Sequence, residues 1–144
     1  MRKILFLSLY IFPLFSCEKS IQKETNKESD IIYAKSLIQN FYEDCHLRNF
    51  EKLYKNLSSE VDTSVVKKII LIKDSLGFNM ENYKIENMET YYTEINENDS
   101  ITKKLEIRAF IKAYNSSNDS ISENLNFIKI NNESPKITGY HIKG

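Results

Sequence analysis

Apolar residues in the first half of the chain recur every three to four positions, the spacing that marks one face of an α-helix. The first such run follows Ser29 or Asp30, either of which is a favourable N-cap residue. Its members are Ile31, Ala34, Leu37, Ile38, Phe41, Tyr42 and Cys45. The pattern therefore predicts an amphipathic helix with one buried face.

A second, shorter helix is predicted after Asn49, which is also a good N-cap residue. Its apolar positions are Phe50, Leu53, Tyr54 and Leu57. The segment 58–64 then breaks the helical spacing, so we expect a turn between this helix and the next.

A third helix is predicted to end at Gly77, because glycine readily adopts the left-handed conformation that closes many helices. Its candidate first residues are Asp62, Thr63 and Ser64, and its apolar residues are Val65, Val66, Ile69, Ile70, Leu71, Ile72 and Leu76. Four consecutive aliphatic residues, Ile69–Ile72, extend around more than one side of a helix. We therefore expect this helix to be buried on more than one side.

After Gly77 the apolar spacing changes to period two, with many β-branched and aromatic residues. The runs are Tyr83 and Ile85; Leu105, Ile107, Ala109, Ile111 and Ala113; Leu125 and Phe127 with Ile128 and Ile130; and Ile137, Gly139 and His141, opposite Tyr140 and Ile142. Turn-forming residues separate the runs at 96–100, 115–120 and 131–135. The chain is therefore predicted to be an α+β protein, with N-terminal helices packed against a four-stranded antiparallel meander.

The N-terminus has the pattern of a secretory leader. Positive charges at Arg2 and Lys3 precede an apolar run, Ile4–Phe15, that is shorter than the roughly 20 residues a transmembrane helix needs. The run ends in Leu14-Phe15-Ser16-Cys17, which resembles the lipobox of bacterial lipoproteins. The resemblance implies a signal peptide over residues 1–16 and an acyl-bearing lipid on the thiol of Cys17. The open alternative is an ordinary signal peptide followed by a chance cysteine.

The lipobox resemblance also implies a location and a domain division. A lipid on Cys17 would anchor the protein in the bacterial cell envelope, facing the periplasm or the exterior. Glu18 occupies the position where an aspartate commonly marks inner-membrane retention, so we favour the outer membrane. The polar residues that follow predict a flexible tether over 17–29, because they cannot bury enough surface to offset chain entropy. The folded domain is then expected over 30–144.

The order and lengths of the predicted elements resemble the NTF2-like, or cystatin-like, superfamily. The resemblance rests on the amphipathic first helix, the short helix at Phe50–Tyr54, the Leu76-Gly77 helix exit and the closing strand at Ile137–Tyr140. It implies a curved sheet that wraps the helices around a cavity. Enzymes of the superfamily often place a histidine or aspartate in that cavity as a general base.

Charge and glycine content exclude several functional classes. Lys plus Arg and Asp plus Glu number 20 each, so the chain has no excess of positive charge that would attract nucleic acid. The basic pairs Lys67-Lys68 and Lys103-Lys104 are isolated and form no stripe. The 3 glycines cannot form a Gly-rich phosphate loop. We therefore predict no nucleic-acid partner and no nucleotide cofactor.

The string Glu43-Asp44-Cys45-His46 combines metal ligands and nucleophiles. Neighbours on a helix point about 100° apart, so Cys45 and His46 cannot converge on one ion or form a nucleophile–base pair. Glu43 and His46 share a face, but two ligands do not complete a tetrahedral site. We predict no metal site: Cys45 is expected in the core, and the other three residues at the solvated end of the helix. With Cys17 lipidated, Cys45 has no disulfide partner within the chain.

His141 is the one candidate acid–base residue, if it faces the superfamily's cavity. The alternative is an exposed strand residue, and no carboxylate partner can be named from the sequence. The 9 tyrosines and 8 phenylalanines mostly follow the apolar phases, so we expect core and cavity lining rather than a recognition surface. A tyrosine-lined ligand pocket remains an open alternative.

The sequence therefore predicts a non-enzymatic, membrane-anchored binding or protein-interaction module, without catalytic, cofactor or metal residues. Its partner would be an envelope protein or a small ligand. The alternatives are a small-molecule or peptide binder that uses the cavity between helices and sheet, and a cavity-base enzyme that uses His141. The turns Asn98–Ile101 and Asn118–Ile121 share the string Asn-Asp-Ser-Ile, which resembles an acceptor of bacterial O-glycosylation but also suits an ordinary turn.

Overall fold

A computed structural model describes residues 19–97 and 100–143 of the chain. Within that part, five strands form one antiparallel sheet of order β1-β2-β3-β4-β5, and three helices pack on it. The elements are β1 (Lys19–Glu24), α1 (Glu28–His46), α2 (Phe50–Asn56), α3 (Thr63–Ser75), β2 (Phe78–Glu97), β3 (Ser100–Asn115), β4 (Ser120–Ile130) and β5 (Lys136–Lys143). The predicted α+β class and the antiparallel meander, β2 to β5, are confirmed, with β1 as an additional strand.

The ends of α2 and α3 lie where the capping residues predicted them. The side chain of Asn49 accepts a hydrogen bond from the backbone N–H of Lys52 at 3.3 Å, and that of Asp62 accepts from Ser64 at 2.8 Å. Gly77 has φ +74°, the left-handed conformation that ends α3. These local signals are therefore sufficient to define both helices.

The start of α1 differs from the prediction, because the helix already begins at Glu28. Lys27 is its N-cap residue and makes no side-chain capping bond. Asp30, a predicted cap, lies instead in the first turn together with Glu28. Both carboxylates there interact favourably with the positive end of the helix dipole.

The expectation that α3 is buried on more than one side is wrong. Ile70 is fully buried, whereas Leu71 and Ile72 are each 44% exposed. The buried face instead continues to a charged residue, Lys73, at 0% exposure. Val66, Ile70 and Lys73 are spaced four and three residues apart, so a single stripe of the helix contacts the sheet.

The predicted flexible tether, 17–29, is wrong for Lys19–Glu24, which form β1 and pair antiparallel with β2. The sequence gives no period-two apolar signal here, because backbone pairing with the edge of the long β2 forms this strand. The corner after β1 is pinned to the buried Thr90: its Oγ1 accepts from the N–H of Asn26 at 2.9 Å, and its carbonyl accepts from that of Thr25 at 3.0 Å. Cys17 and the predicted signal peptide lie outside the described residues.

The inner face of the sheet matches the predicted period-two phases in its central strands. The buried members of β3 and β4 that were predicted from those phases are Ile107, Ala109, Ile111, Ala113, Leu125 and Phe127. Together with the apolar face of α1 they form the core.

The last strand departs from strict alternation because it contains a β-bulge. Phe127 pairs with Ile137, whereas the preceding residue, Asn126, pairs with Gly139, so that Thr138 is the extra residue. Beyond the bulge the phase is reversed, and Ile137 and Tyr140 are both buried. The predicted grouping of Ile137 with Gly139 and His141 is therefore wrong.

Replacing Thr90 with valine is expected to loosen the corner between β1 and α1. The substitution removes the hydroxyl that accepts from the backbone N–H of the exposed Asn26, which costs about 0.5–1.5 kcal/mol of unfolding free energy. Chemical denaturation measures the loss, and hydrogen exchange should quicken at Thr25 and Asn26. Thr102→Val, at a half-buried threonine of β3, is the matched control. Equal exchange at the corner in both variants would contradict this account.

Candidate functional site

A basic and an acidic side chain, on elements far apart in sequence, meet in the interior of the protein. Lys73 lies on the buried stripe of α3, and Glu123 lies on the inward phase of β4 with Leu125 and Phe127. Lys73 is 0% and Glu123 1% exposed. Two buried charges are stable only if they pair and if their remaining polar atoms find partners.

The contacts around Glu123 meet that requirement. One carboxylate oxygen, Oε1, forms an ion pair with Nζ of Lys73. The other, Oε2, accepts hydrogen bonds from the hydroxyls of Tyr42 at 2.6 Å and Tyr140 at 2.8 Å. Nζ of Lys73 also donates to the Tyr140 hydroxyl at 3.3 Å. We call Tyr42, Lys73, Glu123 and Tyr140 the buried polar cluster.

Aromatic rings enclose the buried polar cluster. The ring of Tyr42 stacks on that of Tyr83, with centroids 4.1 Å apart. Phe41 meets the ring of Tyr140 edge to face at 5.0 Å. Nζ of Lys73 lies 5.1 Å from the centroid of the Tyr42 ring, so the cation also interacts with that π-face. These contacts shield the charges from water.

The electrostatics of the cluster keep its neutral groups protonated. Burial raises the pKa of Tyr42 and of Tyr140 well above the usual range, and the nearby carboxylate of Glu123 raises both further. Burial likewise raises the pKa of the Cys45 thiol. A thiol without thiolate character is a poor nucleophile. Because these residues are nearly inaccessible, the cluster stabilises the fold rather than meeting a substrate.

The Glu43-Asp44-Cys45-His46 string lies at the end of α1, with a mixed outcome. Cys45 is buried, and Glu43 and His46 are exposed, as predicted. Asp44 is not solvated: it is 3% exposed and accepts a hydrogen bond from Nζ of Lys52 at 2.9 Å. Its burial follows from its position facing the start of α2, which the sequence did not reveal.

The environment of His46 is that of a surface residue rather than a metal ligand. Its Nε2 lies 3.5 Å from Oε1 of Glu81, and both side chains are largely exposed. Among the residues with described coordinates, no three His, Cys, Asp or Glu side chains are grouped as a metal ion would require.

His141 does not face the interior, which confirms the interpretation of it as an exposed strand residue and leaves the cavity-base alternative without support. It is exposed, and its ring lies over Gly139: a Cβ added to Gly139 would be 3.2 Å from Nε2 of His141. The bulge at Thr138 is the physical reason, because it turns Tyr140 inward and His141 outward. The buried polar cluster occupies the interior where the catalytic alternative placed a cavity.

Three surface cavities differ in size and position. One, of about 240 Å³, lies between α1, α2 and the turn before β5, and Asn40, Asp44 and Asn56 contribute its polar lining. A second, of about 410 Å³, lies between α3 and β5. A third, of about 390 Å³, is lined by His46, Arg48, Asp74, Gly77, Phe78 and Met80. The second and third fall within the ~300–1,000 Å³ typical of ligand pockets.

Comparison with known proteins gives no further assignment: no family model, no curated protein and no solved structure matches the chain. None of the helices within the described ranges has the length and apolar content that a membrane crossing requires.

Breaking the buried ion pair on one side is expected to destabilise the protein strongly. Lys73→Met leaves a buried carboxylate, and Glu123→Gln leaves a buried ammonium; each should cost about 3–5 kcal/mol of unfolding free energy. The double variant should lose much less than the sum, since no unpaired charge remains. Chemical denaturation of all four forms measures this coupling. The exposed pair Glu51–Lys55 provides a control cycle with almost no coupling, and purely additive losses at Lys73 and Glu123 would contradict the assignment.

Stability is also expected to fall at alkaline pH because of the buried phenols. Tyr42 and Tyr140 have raised pKa values in the folded protein, so the unfolded chain loses these protons first, near pH 10. Their contribution is therefore complete below about pH 10 and is lost as pH rises above it, at ~1.4 kcal/mol per pH unit for each phenol.

The measurement is the slope of unfolding free energy against pH above 10, in a Cys45→Ala background that removes the thiol's own titration. Tyr42→Phe should lower the slope by the contribution of one phenol, ~1.4 kcal/mol per pH unit. Tyr114→Phe, at a half-buried position of β3, is the matched control. An unaltered slope in the Tyr42 variant would show that this phenol is accessible.

Proposed function

We propose that the chain is a lipid-anchored bacterial envelope protein whose α+β domain binds a partner at its surface and performs no catalysis. The anchor is supported by the leader and by the resemblance of Leu14–Cys17 to a lipobox. The proposal of surface binding without catalysis is supported by the burial of the reactive side chains in the interior. The side chains of Lys73, Glu123 and Cys45 are at most 2% exposed and therefore cannot contact a ligand. We therefore assign binding to residues at the surface.

The position of β1 sets the distance between the proposed lipid anchor and the sheet. Only Glu18 separates Cys17 from Lys19, the first residue of β1. An extended residue spans at most ~3.6 Å, so a lipid on Cys17 would hold the sheet within about 10 Å of the membrane surface. The domain would then be held closely at the bilayer rather than on a long tether. The NTF2-like relationship is part of this proposal and rests on the order of helices and strands.

Several acyl chains would make the anchor effectively permanent, because each buried CH₂ contributes ~0.8 kcal/mol. The chain contains 2 cysteines, and Cys45 is buried in the core. Acylation therefore has one chemically accessible candidate, Cys17. A thiolate there would form the thioether by displacing the phosphate headgroup of a membrane phospholipid: the sulfur–carbon bond forms as the carbon–oxygen bond to the headgroup phosphate breaks, and the headgroup leaves with its phosphate.

Replacing Cys17 with alanine is expected to abolish incorporation of labelled palmitate in the producing bacterium and to move the protein from the membrane to the soluble fraction. Cys45→Ala is the matched control and should keep both the label and the membrane location. Label retained in the Cys17 variant, or absent from the parent protein, would refute the anchor.

A further inference from the structure

One edge of the sheet is formed by β5, in which Gly139 and Tyr140 are buried and His141 and Lys143 are exposed. β5 is the last strand of the order β1-β2-β3-β4-β5. At its start the edge is covered, because the N–H of Ser58 donates to the carbonyl of Ile137 at 2.8 Å, next to a bridge from Leu57. In the part of the chain with described structure, β4 pairs with one edge of β5, and no strand pairs with its outer edge beyond that point. Alternate residues of an edge strand direct N–H and C=O groups outward, ready for another strand.

The surface cavity of about 410 Å³ follows this open edge. Its lining includes the consecutive residues Thr138–Ile142. Successive side chains of a strand point to opposite faces of the sheet, so a cavity that touches all five lies along the edge of the strand. We call this cavity the β5 groove.

The opposite wall of the β5 groove is apolar and belongs to α3 and the segment before it. Its members are Val61, Val65, Val66 and Ile69. Val66 and the inward-facing Tyr140 are almost fully buried, while Val65 is 49% exposed. The groove therefore combines unpaired backbone on one side with an accessible aliphatic surface on the other, as sites for strand addition do.

The charged residues of the groove are acidic. Glu60 and Asp62 line it, and no lysine or arginine is among the described lining residues. The hydrogen bond from Ser64 lowers the pKa of Asp62, which keeps that carboxylate ionised. Glu60 also borders a second depression together with Thr138, so the acidic end of the groove is the end where β5 emerges from the bulge.

We propose that the β5 groove binds an extended segment of another protein, which adds to the sheet as a sixth strand beside β5. Backbone hydrogen bonds to β5 give affinity, alternate aliphatic side chains contact Val65 and Ile69, and a lysine or arginine meets Glu60 and Asp62. The inference rests on the proposed function as a binding module and specifies its partner.

A second copy of this chain fits the groove less well than a bare strand. The groove is a slot between α3 and the edge of β5, and a partner must enter with its own backbone edge exposed. β5 of a second copy carries its own α3 and the Glu60 loop along the same edge, so it is a bulkier occupant than a bare strand. A strand of about six residues, roughly 20 Å long, matches the open part of β5, Thr138–Lys143.

The test uses the full chain in mild detergent and an array of hexapeptides with aliphatic residues at alternate positions, each carrying one lysine or one glutamate. Lysine peptides are expected to bind at least about tenfold more tightly than their glutamate counterparts, an electrostatic preference that salt should weaken. In NMR spectra the best peptide should shift the backbone amides of Thr138–Ile142. N-methylation of alternate peptide amides should abolish binding, since it removes the donors to β5.

Matched variants locate the site. Val65→Asp places a charge in the groove at an exposed position, and Leu71→Asp makes the same change on α3 outside it, at 44% exposure. The first should abolish binding and the second should not, while Glu60→Lys should reverse the preference from lysine to glutamate peptides. Circular dichroism checks that each variant is folded.

Three results would overturn the proposal: no binding by any peptide, equal binding in the Val65→Asp and Leu71→Asp variants, or concentration-dependent shifts of the β5 amides without peptide, which would indicate a second copy. These failures are separate from failure of the anchor, which is measured by acyl labelling at Cys17. If a peptide binds but shifts only amide resonances outside β5, the protein has a binding function and the β5 groove is not its binding site.

Discussion

The packing of the helices on the sheet depends on the contacts of one buried group, the carboxylate of Glu123. It joins β4 to α3 through Lys73, to α1 through Tyr42 and to β5 through Tyr140. An apolar core tolerates small shifts of a helix over a sheet, but a buried ion pair does not, because displacement by a few ångströms would leave two charges unpaired. The pair therefore restricts the helices to one position on the sheet.

This arrangement also determines where the protein can interact. Lys73 and Glu123 are used here for internal contacts, and aromatic rings close over them. The chemistry left to solvent is that of the surface: an open strand edge, an aliphatic helix face and a few carboxylates. These groups suit recognition of another chain, and they link the sealed interior to the proposed binding role.

Much of the fold follows from local sequence signals. Asn49, Asp62 and Gly77 mark helix ends, and the period-two phases of β3 and β4 identify the inner face of the sheet. β1 could not be predicted, because it is formed by pairing with a strand distant in sequence. The bulge at Thr138 was missed for a similar reason: an inserted residue reverses the side-chain phase without any change in composition.

The buried polar cluster had a sequence signal of its own. Lys73 lies on the apolar phase of α3 and Glu123 on the apolar phase of β4, so opposite charges at two core positions indicate an ion pair. A pattern of apolar residues does not reveal this ion pair, because its two members are charged. The apolar run Ile69–Ile72 also indicated burial of a side of the helix that is exposed. Exposure of Leu71 and Ile72 and burial of Lys73 have a single cause, the orientation of α3 that the pair imposes.

The central claim is that the interior is closed to water around the ion pair. Proton NMR tests it most directly, since a phenolic hydroxyl that is hydrogen-bonded and excluded from solvent exchanges slowly enough to give its own resonance. The account predicts two such resonances, from Tyr42 and Tyr140, with contacts to the side chains of Glu123 and Lys73. Hydroxyl protons that exchange rapidly with water at these two residues would contradict it.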